Sequence, residues 1–354
     1  MFKLNLKKFF AFFSLFALTY TSIASTSVVA ETFATKECDP IQVVIHASYG
    51  GGTDTTARMM SIRSRRTLKA DMQIVGKRGG SGAKAQNYTL TRPKDGCTIM
   101  ALTESHLYTM ARGKSNMKID DLVGVARAME EPTFIVVNAQ NKELSTIKKF
   151  IKRSKEKPII TAIASIGGTE HIGMYNYSTV ADVPFKAVSF GSGAQSLQAL
   201  ASGKVEASLL NPSEAAALIE DKKIKAILLL HDKKMADYPK VPTSYEMGHE
   251  VKVVTTRGYA VLKGTPQDRI DALSKGMVKA MKHDTFANYL KGASLDPATS
   301  PAGTEVWDKQ LKENYAKAAE ALKGLGLTNL CQTKKKLLTL RPKHWAQGLF
   351  IKKT

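Results

Sequence analysis

The segment at residues 43–58, VVIHASYGGGTDTTAR, constrains the fold of this chain more than any other part of the sequence. Its first three residues are apolar and predict a buried strand, and three consecutive glycines then allow a sharp turn. Thr53 or Asp54 can cap a helix that starts near Thr55, because both side chains accept free amide protons of a first helical turn. A strand, a glycine turn and a helix start in this order direct backbone N–H groups towards one point. We therefore predict an anion site at this turn.

The first thirty residues have the composition of an export signal. Three lysines precede or begin an apolar run at residues 9–18, and small residues stand before a cleavage point near Ala30. The apolar run is shorter than the about 20 residues that a membrane-spanning helix needs. We therefore predict a signal peptide at residues 1–30 and a mature chain exported to the periplasm.

The formal net charge of +21 at pH 7 raises the question of a nucleic-acid partner. Export argues against such a partner, and the chain has no basic stripe interleaved with aromatic residues. We expect instead a lysine-rich solvated surface that attracts anions, and no nucleic-acid binding.

The three cysteines suggest one disulfide in an exported chain. Cys97 lies in a predicted buried strand, and we interpret it as a packed thiol. Cys38 precedes the first strand and Cys331 follows the last long helix, so we hypothesise that these two residues pair. The spacing of Cys and His residues resembles no metal-ligand set, and we expect neither a metal nor a cofactor.

Strand and helix patterns alternate along the chain, which predicts an α/β architecture with mostly parallel sheets. The predicted strands lie at residues 41–45, 72–75, 98–102, 134–138, 159–163, 186–189, 207–210, 226–230 and 259–262. The predicted helices lie at residues 54–65, 145–154, 170–179, 193–201, 266–282 and 304–322.

Two more glycine turns follow predicted strands, ASIGGTEH at residues 164–171 and FGSGA at residues 190–194. Taken alone, each is typical of a structural turn. Three such turns in one α/β chain predict amide donors that converge on a cleft, because ligands of open sheets bind beyond the carboxyl ends of the strands.

The motifs of common enzymes fail in this sequence. The glycine turn lacks the third glycine of a dinucleotide site, Tyr108 stands where a phosphate-binding loop needs its first glycine, and no nucleophile elbow is present. His46, His106 and His171 lack paired acids at suggestive spacings, so we interpret them as packed or solvent-facing histidines. We therefore predict that the protein is not an enzyme.

Seven motifs in order resemble one family. They are GGGTDTTAR, VGKRGGSGA, PKDGCTIM, ASIGGTEHIG, FGSGAQSLQAL, VPTSYEMG and GYAVLKGTP, and the resemblance runs from about residue 41 to 327. The chain thereby resembles the Bug-type extracytoplasmic solute receptors of tripartite tricarboxylate transporters. The resemblance implies a two-lobed periplasmic binding (Venus-flytrap) fold with two interlobe crossings. Lobe 1 would hold residues 31–132 and 252–354, and lobe 2 residues 133–251.

Members of that family bind carboxylates between the lobes, partly through water, so the resemblance also implies the binding residues. The first two turns would hold one carboxylate, and the third would close the pocket. The residues carried over are Tyr49, Gly50, Gly51, Gly52, Thr53, Asp54, Ser165, Gly167, Gly168, Thr169, His171, Gly191, Ser192, Gly193 and Ala194. Carboxylates suit such positions, since a charge-assisted hydrogen bond contributes about 1.5–3 kcal/mol.

Some positions depart from the family pattern. His46 and Ala47 stand where members commonly have Pro and an aromatic residue, and Cys97 stands where Tyr is common. Arg257 stands at a position that is often Trp, and we favour a surface role for it over contact with a second anionic group. The basic tail after Leu327 exceeds the usual family end, and membrane-surface contact and a gene-model artefact are both open explanations.

The resemblance implies a receptor that captures a small carboxylate and delivers it to integral-membrane permease subunits of a tripartite transporter. We expect it to act as a monomer. The alternative is a receptor of the same fold that reports its ligand to a membrane kinase. The sequence does not identify the carboxylate.

Overall fold

The computed structural model describes residue 38 and residues 40–324 of the 354-residue chain. The predicted signal peptide, Cys331 and the basic tail lie outside these residues. The described strands are β1 Ile41–Ile45, β2 Met72–Gly76, β3 Thr98–Leu102, β4 Leu122–Pro132, β5 Phe134–Asn138, β6 Ile159–Ile163, β7 Phe185–Ser189, β8 Ala207–Leu210, β9 Ile224–Leu229, β10 Val254–Leu262 and β11 Ala302–Gly303.

The described helices surround two sheets. They are α1 Gly52–Ser61, α2 Ser64–Thr67, α3 Ala83–Leu90, α4 Glu104–Ala111, α5 Ile147–Glu156, α6 Thr169–Ala181, α7 Gly193–Ala201, α8 Pro212–Glu220, α9 Gln267–Met281, α10 Asp284–Gly292 and α11 Thr304–Gly324. Among the described residues, no helix is both long and apolar enough to cross a membrane.

Both sheets are mixed, so the prediction of mostly parallel sheets is wrong. The first has the strand order β11-β4-β10-β3-β1-β2, and the second β7-β6-β8-β5-β9. In the first sheet β1 runs parallel to β2 and β3, whereas β10 runs antiparallel to β3 and β4. In the second, β6 runs parallel to β7 and β8, and β5 runs antiparallel to β8 and β9. Strands β5 and β10 each follow a strand of the other sheet without an intervening helix, so no βαβ unit forces them to be parallel to their neighbours.

The chain passes between the sheets twice. Strand β4 ends at Pro132 and β5 begins at Phe134, so Thr133 is the single residue between them. The chain returns through residues 230–253, between β9 and β10. We call the first sheet with its helices lobe 1 and the second sheet with its helices lobe 2. The exact lobe boundaries inferred from the sequence stay a prediction.

Each lobe has apolar side chains packed on both faces of its sheet. In lobe 1, the five residues of β3 are all buried, and Trp307 of α11 is 2% exposed beside this sheet. In lobe 2, Phe150 of α5 and Tyr177 of α6 are fully buried against the other sheet. Burial of this kind fixes the strands, and the strands fix the turns at their carboxyl ends.

A disulfide joins Cys38 to Cys97, with 5.1 Å between their Cα atoms. The predicted pair of Cys38 and Cys331 is therefore wrong, as is the interpretation of Cys97 as a free packed thiol. The physical reason is the register of β1 and β3, in which Gln42 pairs with Thr98 in parallel. The residues just before the two strands therefore lie side by side.

Candidate functional site

A cavity of about 880 Å³ lies between the lobes. Lobe 1 contributes the turn after β1, the glycine-rich segment before α3, the start of α4 and part of β10. Lobe 2 contributes the turns after β6 and β7 and the first turn of α8. The three glycine turns found in the sequence thus meet at one cleft, as the carboxyl ends of strands in α/β sheets do.

The residues predicted to bind a ligand divide into two groups by position. Those that line the cavity are Gly51, Gly52, Thr53, Ser165, Thr169, Gly191, Ser192 and Gly193. Those outside its lining are Tyr49, Gly50, Asp54, Gly167, Gly168, His171 and Ala194. Ligand contact by any of them stays a prediction.

The first turn differs in detail from the sequence expectation. Helix α1 begins at Gly52 with Gly51 as its N-cap, so neither Thr53 nor Asp54 is the cap. Asp54 is 3% exposed, and its Oδ2 accepts the Gly50 N–H at 2.8 Å. Its carboxylate also lies 2.9 Å from Nε of Arg58. Asp54 therefore stabilises the turn through its backbone from a position outside the cavity lining.

The glycine amides of this turn already have acceptors within the protein. Besides the Gly50 amide, that of Gly51 donates to the Ser48 carbonyl oxygen at 3.3 Å. The amide of Gly52 donates to Oε1 of Glu214, a residue of lobe 2, at 3.2 Å. The N-terminus of α1 thus receives a carboxylate from the other lobe.

The backbone amides of the turn after β6 also have hydrogen-bond acceptors within the protein. The Gly167 amide donates to Nδ1 of His171 at 2.8 Å, and the Gly168 amide donates to the Ser165 carbonyl oxygen at 3.1 Å. The Thr169 amide donates to Oγ of Ser105, a residue of lobe 1, at 3.1 Å. A ligand in this cavity therefore meets mainly side-chain donors rather than these amides.

Several further hydrogen bonds join the lobes around the cavity, among them two that serine hydroxyls of lobe 1 donate. Ser48 Oγ donates to Oε1 of Gln195 at 3.2 Å, and Ser81 Oγ donates to the Ile166 carbonyl oxygen at 2.9 Å. With the bonds of Gly52 and Thr169, they place the lobes in a closed arrangement.

Arg257 of β10 brings a buried positive charge to the cavity. It is 5% exposed, forms an ion pair with Glu131 of β4, and donates from Nη2 to Oδ1 of Asn211 at 3.1 Å. Its Nε is buried without a hydrogen-bond partner among the described residues. Burial alone would lower the pKa of Arg257, but the charges of Glu131 and Glu214 outweigh that effect and raise the pKa above its ordinary value. The expectation of a surface role for Arg257 is wrong.

A second guanidinium, that of Arg78, stands at the exposed side of the cavity. Its Nη1 donates to Ser48 Oγ at 2.9 Å. Within the described part of the chain, Arg78 forms no ion pair. Its positive charge is therefore available to an anionic ligand.

The acidic side of the cavity comes from Glu170 and Glu214. Oε2 of Glu170 is buried and has no hydrogen-bond partner among the described residues. Burial raises the pKa of Glu170 to about 7, and the negative charge of Glu214 adds to the effect. Glu170 therefore exchanges a proton near neutral pH.

The histidines near the cavity are packed. Burial lowers the pKa of His46 to about 4, with a further contribution from Arg257. The rings of His46 and His106 are 4.1 Å apart between centroids. Burial also lowers the pKa of His171 to about 4, with contributions from Arg112 and Lys114. All three rings are therefore neutral near pH 7, since burial also lowers the pKa of His106.

Sequence reasoning missed Arg78, Glu170 and Glu214. Glu214 lies in the segment NPSE, where it closes a capping box with Asn211 at the start of α8. Such a box is typical of a helix start, although no helix was predicted there, and the second contact of the same carboxylate, with Gly52, leaves no local signal.

Two sheets joined by two crossings, with a cleft between them, define a two-lobed periplasmic binding protein. MatC from Rhodopseudomonas palustris has this fold with a TM-score of 0.74 and 21% identity, over 80% of this chain and 99% of that chain. The periplasmic binding protein BugD has it with a TM-score of 0.76 and 21% identity, over 82% of this chain and 99% of that chain. These likenesses confirm the fold class.

The chain belongs to the TctC family, the tripartite tricarboxylate transporter family receptors, whose sequence profile matches residues 56–327. Among curated proteins, BugT of Bordetella pertussis is 23% identical over 304 residues, which are 83% of this chain and 90% of that protein. The resemblance seen in the seven motifs is thus confirmed. Family and fold are those of solute-binding receptors rather than enzymes.

Proposed function

We propose that this protein is a periplasmic receptor that captures a small carboxylate between its lobes and delivers it to the permease subunits of a tripartite tricarboxylate-type transporter. The observation that carries the proposal is the cavity between the lobes, which both lobes line and which two guanidinium groups face. The family assignment supports the transporter as partner. MatC was solved with bound malate and the R. palustris protein Rpa4515 with adipate, which supports a carboxylate as ligand.

The charge that receives the carboxylate is, on this proposal, that of Arg78. A guanidinium offers two parallel donors to a carboxylate, and Arg78 is the cavity guanidinium that has no acid partner among the described residues. The hydroxyl groups of Thr53 and Ser165 line the cavity from opposite lobes and can donate hydrogen bonds to the same ligand. Asp54, outside the lining, would act by holding the turn that carries Thr53.

Closure is, on this proposal, a rotation about the two crossings. A ligand that bonds to both lobes favours the closed state by its difference in affinity for the two states. We propose lobe 1 as residues 31–132 and 252–354 and lobe 2 as residues 133–251, a signal peptide that ends near Ala30, and a monomeric mature chain.

The test is calorimetric titration of the mature chain with malate, succinate, adipate, aspartate and glutamate. We expect at least one to bind, and we expect Arg78→Ala to weaken that ligand about tenfold or more, as for the loss of a charge-assisted hydrogen bond. Arg66→Ala is the matched control, because Arg66 is an exposed arginine of α2 outside the cavity lining. Absence of binding by every probe, or equal affinity of the Arg78 and Arg66 variants, would refute the proposal.

A further inference from the structure

Glu214 occupies the place at which the sequence predicts a ligand carboxylate. Its Oε1 accepts the Gly52 amide at the N-terminus of α1. The same carboxylate lies against Gly193 at the N-terminus of α7, where it leaves no room for a Cβ atom. Helix N-termini favour negative charge, and Glu214 supplies it to both. A ligand carboxylate at this position would have to displace Glu214 or lie beside a like charge.

The charges that line the cavity are therefore divided between its two sides. Arg257 is paired with Glu131, which leaves Arg78 as the positive group that an incoming ligand meets. Lobe 2 presents the carboxyl groups of Glu170 and Glu214. A ligand that carries only negative groups would be attracted by Arg78 on one side of the cavity and repelled by the two glutamates on the other.

One carboxyl oxygen of Glu170 lacks the donor that a buried polar atom requires. Its Oε2 is buried without a hydrogen-bond partner among the described residues, and buried polar groups in folded proteins are normally paired. Glu170 and Glu214 are near enough for the charge of one to act on the other. An ammonium group has three donors and one positive charge, so it can serve both carboxyl groups at once.

We propose that Glu170 and Glu214 bind an ammonium group of the ligand, which is therefore an amino-acid-like molecule with its carboxylate towards Arg78. This inference rests on the proposed function, since it assigns a second group to a ligand already taken to be a carboxylate. It makes the two glutamates determinants of specificity between amino acids and plain carboxylic acids of the same length.

The experiment compares probes that differ only in one amino group: succinate with aspartate, glutarate with glutamate, and adipate with 2-aminoadipate. Calorimetry at pH 7.5 should show at least one amino-bearing probe binding about tenfold or more tightly than its partner. Glu170→Gln and Glu214→Gln should each bring that ratio close to one, because each removes a negative charge but keeps the side-chain shape. Glu156→Gln, at an exposed residue of α5, is the matched control and should leave the ratio unchanged.

A second measurement detects the protons released when the ligand binds. The charged groups that face Glu170 are Glu214 of α8 and Arg257 of β10. Binding of an ammonium group favours the ionised carboxyl of Glu170, so the wild-type protein should release protons on binding near pH 7. The binding enthalpy should then vary with the ionisation enthalpy of the buffer, and this variation should disappear in Glu170→Gln.

The outcomes separate the two proposals. If a dicarboxylate binds as tightly as its amino-bearing partner in every pair, the carboxylate receptor stands and the ammonium subsite is refuted. A preference for amino-bearing probes that survives both glutamine variants also refutes the subsite. If no probe binds, both proposals fail.

Discussion

The ion pair of Glu131 and Arg257 gives a direct test of how this site is held together. Glu131 is fully buried in β4, and Arg257 is 5% exposed in β10. The amide and the hydroxyl of Ser213, in lobe 2, each donate to the Glu131 carboxylate at 2.9 Å. The pair therefore lies where the chain leaves lobe 1 at the end of β4 and returns to it at the start of β10, and it also holds the start of α8.

Glu131→Ala would leave the Arg257 charge buried without its partner. Breaking a buried pair by removing one member costs about 3–5 kcal/mol. For a chain of more than 300 residues each kcal/mol lowers the melting temperature by about 1.5 °C, so the expected loss is about 4–7 °C. The free energy of unfolding is measured by urea titration followed by circular dichroism, and the melting temperature by calorimetry.

The control is the exposed pair of Lys155 and Asp182, whose side chains are 44% and 81% exposed. Lys155→Ala should cost about 1 kcal/mol or less, because solvent screens such pairs. Replacing both members of the buried pair, as Glu131→Leu with Arg257→Met, should recover most of the lost stability, since no unpaired charge is left. If Glu131→Ala costs no more than Lys155→Ala, the argument from burial is wrong.

Two further predictions concern the disulfide and one buried acid. Thiol titration of the unfolded, unreduced chain should find one free thiol, and peptide mapping should link Cys38 to Cys97. Reduction of this disulfide should lower the free energy of unfolding by about 4 kcal/mol on the chain-entropy model for a separation of 59 residues. Three free thiols would contradict the assignment. Burial raises the pKa of Glu104 to about 7 while its carboxylate accepts the Thr256 amide at 2.7 Å, so its stabilising contribution is complete below about pH 4.5 and is lost as the pH rises through 7. Glu104→Gln should therefore gain on the order of 2 kcal/mol over wild type between pH 5 and pH 8 in urea unfolding, and a pH-independent difference would contradict this.

Most of the elements found from the sequence have continuous apolar runs, whereas helices α3, α4, α8 and α10 were not predicted, although α4 and α8 begin with capping boxes. Each of the nine predicted strands overlaps an observed strand, and helix α7 has the predicted bounds. Strand β4 was missed because Arg127, Glu130 and Glu131 interrupt its apolar pattern. Arg127 forms a local ion pair with Glu130 at 3.0 Å, but it also donates to the Ser300 carbonyl oxygen, and Glu131 pairs with Arg257 of β10. These long-range contacts are settled by tertiary structure and leave no local signal.

The site shows the same limit. The three glycine turns were visible as strand–turn–helix patterns, and the facing ends of the two sheets bring them to one cleft. The groups that accept hydrogen bonds from the amides of these turns could not be predicted from the sequence. Glu214 is separated from Gly52 by 162 residues, and Ser105 from Thr169 by 64. The predicted disulfide was wrong for the same reason, since the pairing of β1 with β3 decides which cysteine lies next to Cys38.

The single residue between β4 and β5 limits how the protein can open. One residue spans at most about 3.6 Å, so the lobes cannot slide apart at Thr133 and can only turn about it. Displacement then grows with distance from this point. Spectroscopic labels on the rim of the cleft, one on each lobe, would separate widely on opening. Labels beside Thr133 would hardly move, and they provide the fixed reference for a distance-based sensor built on this chain.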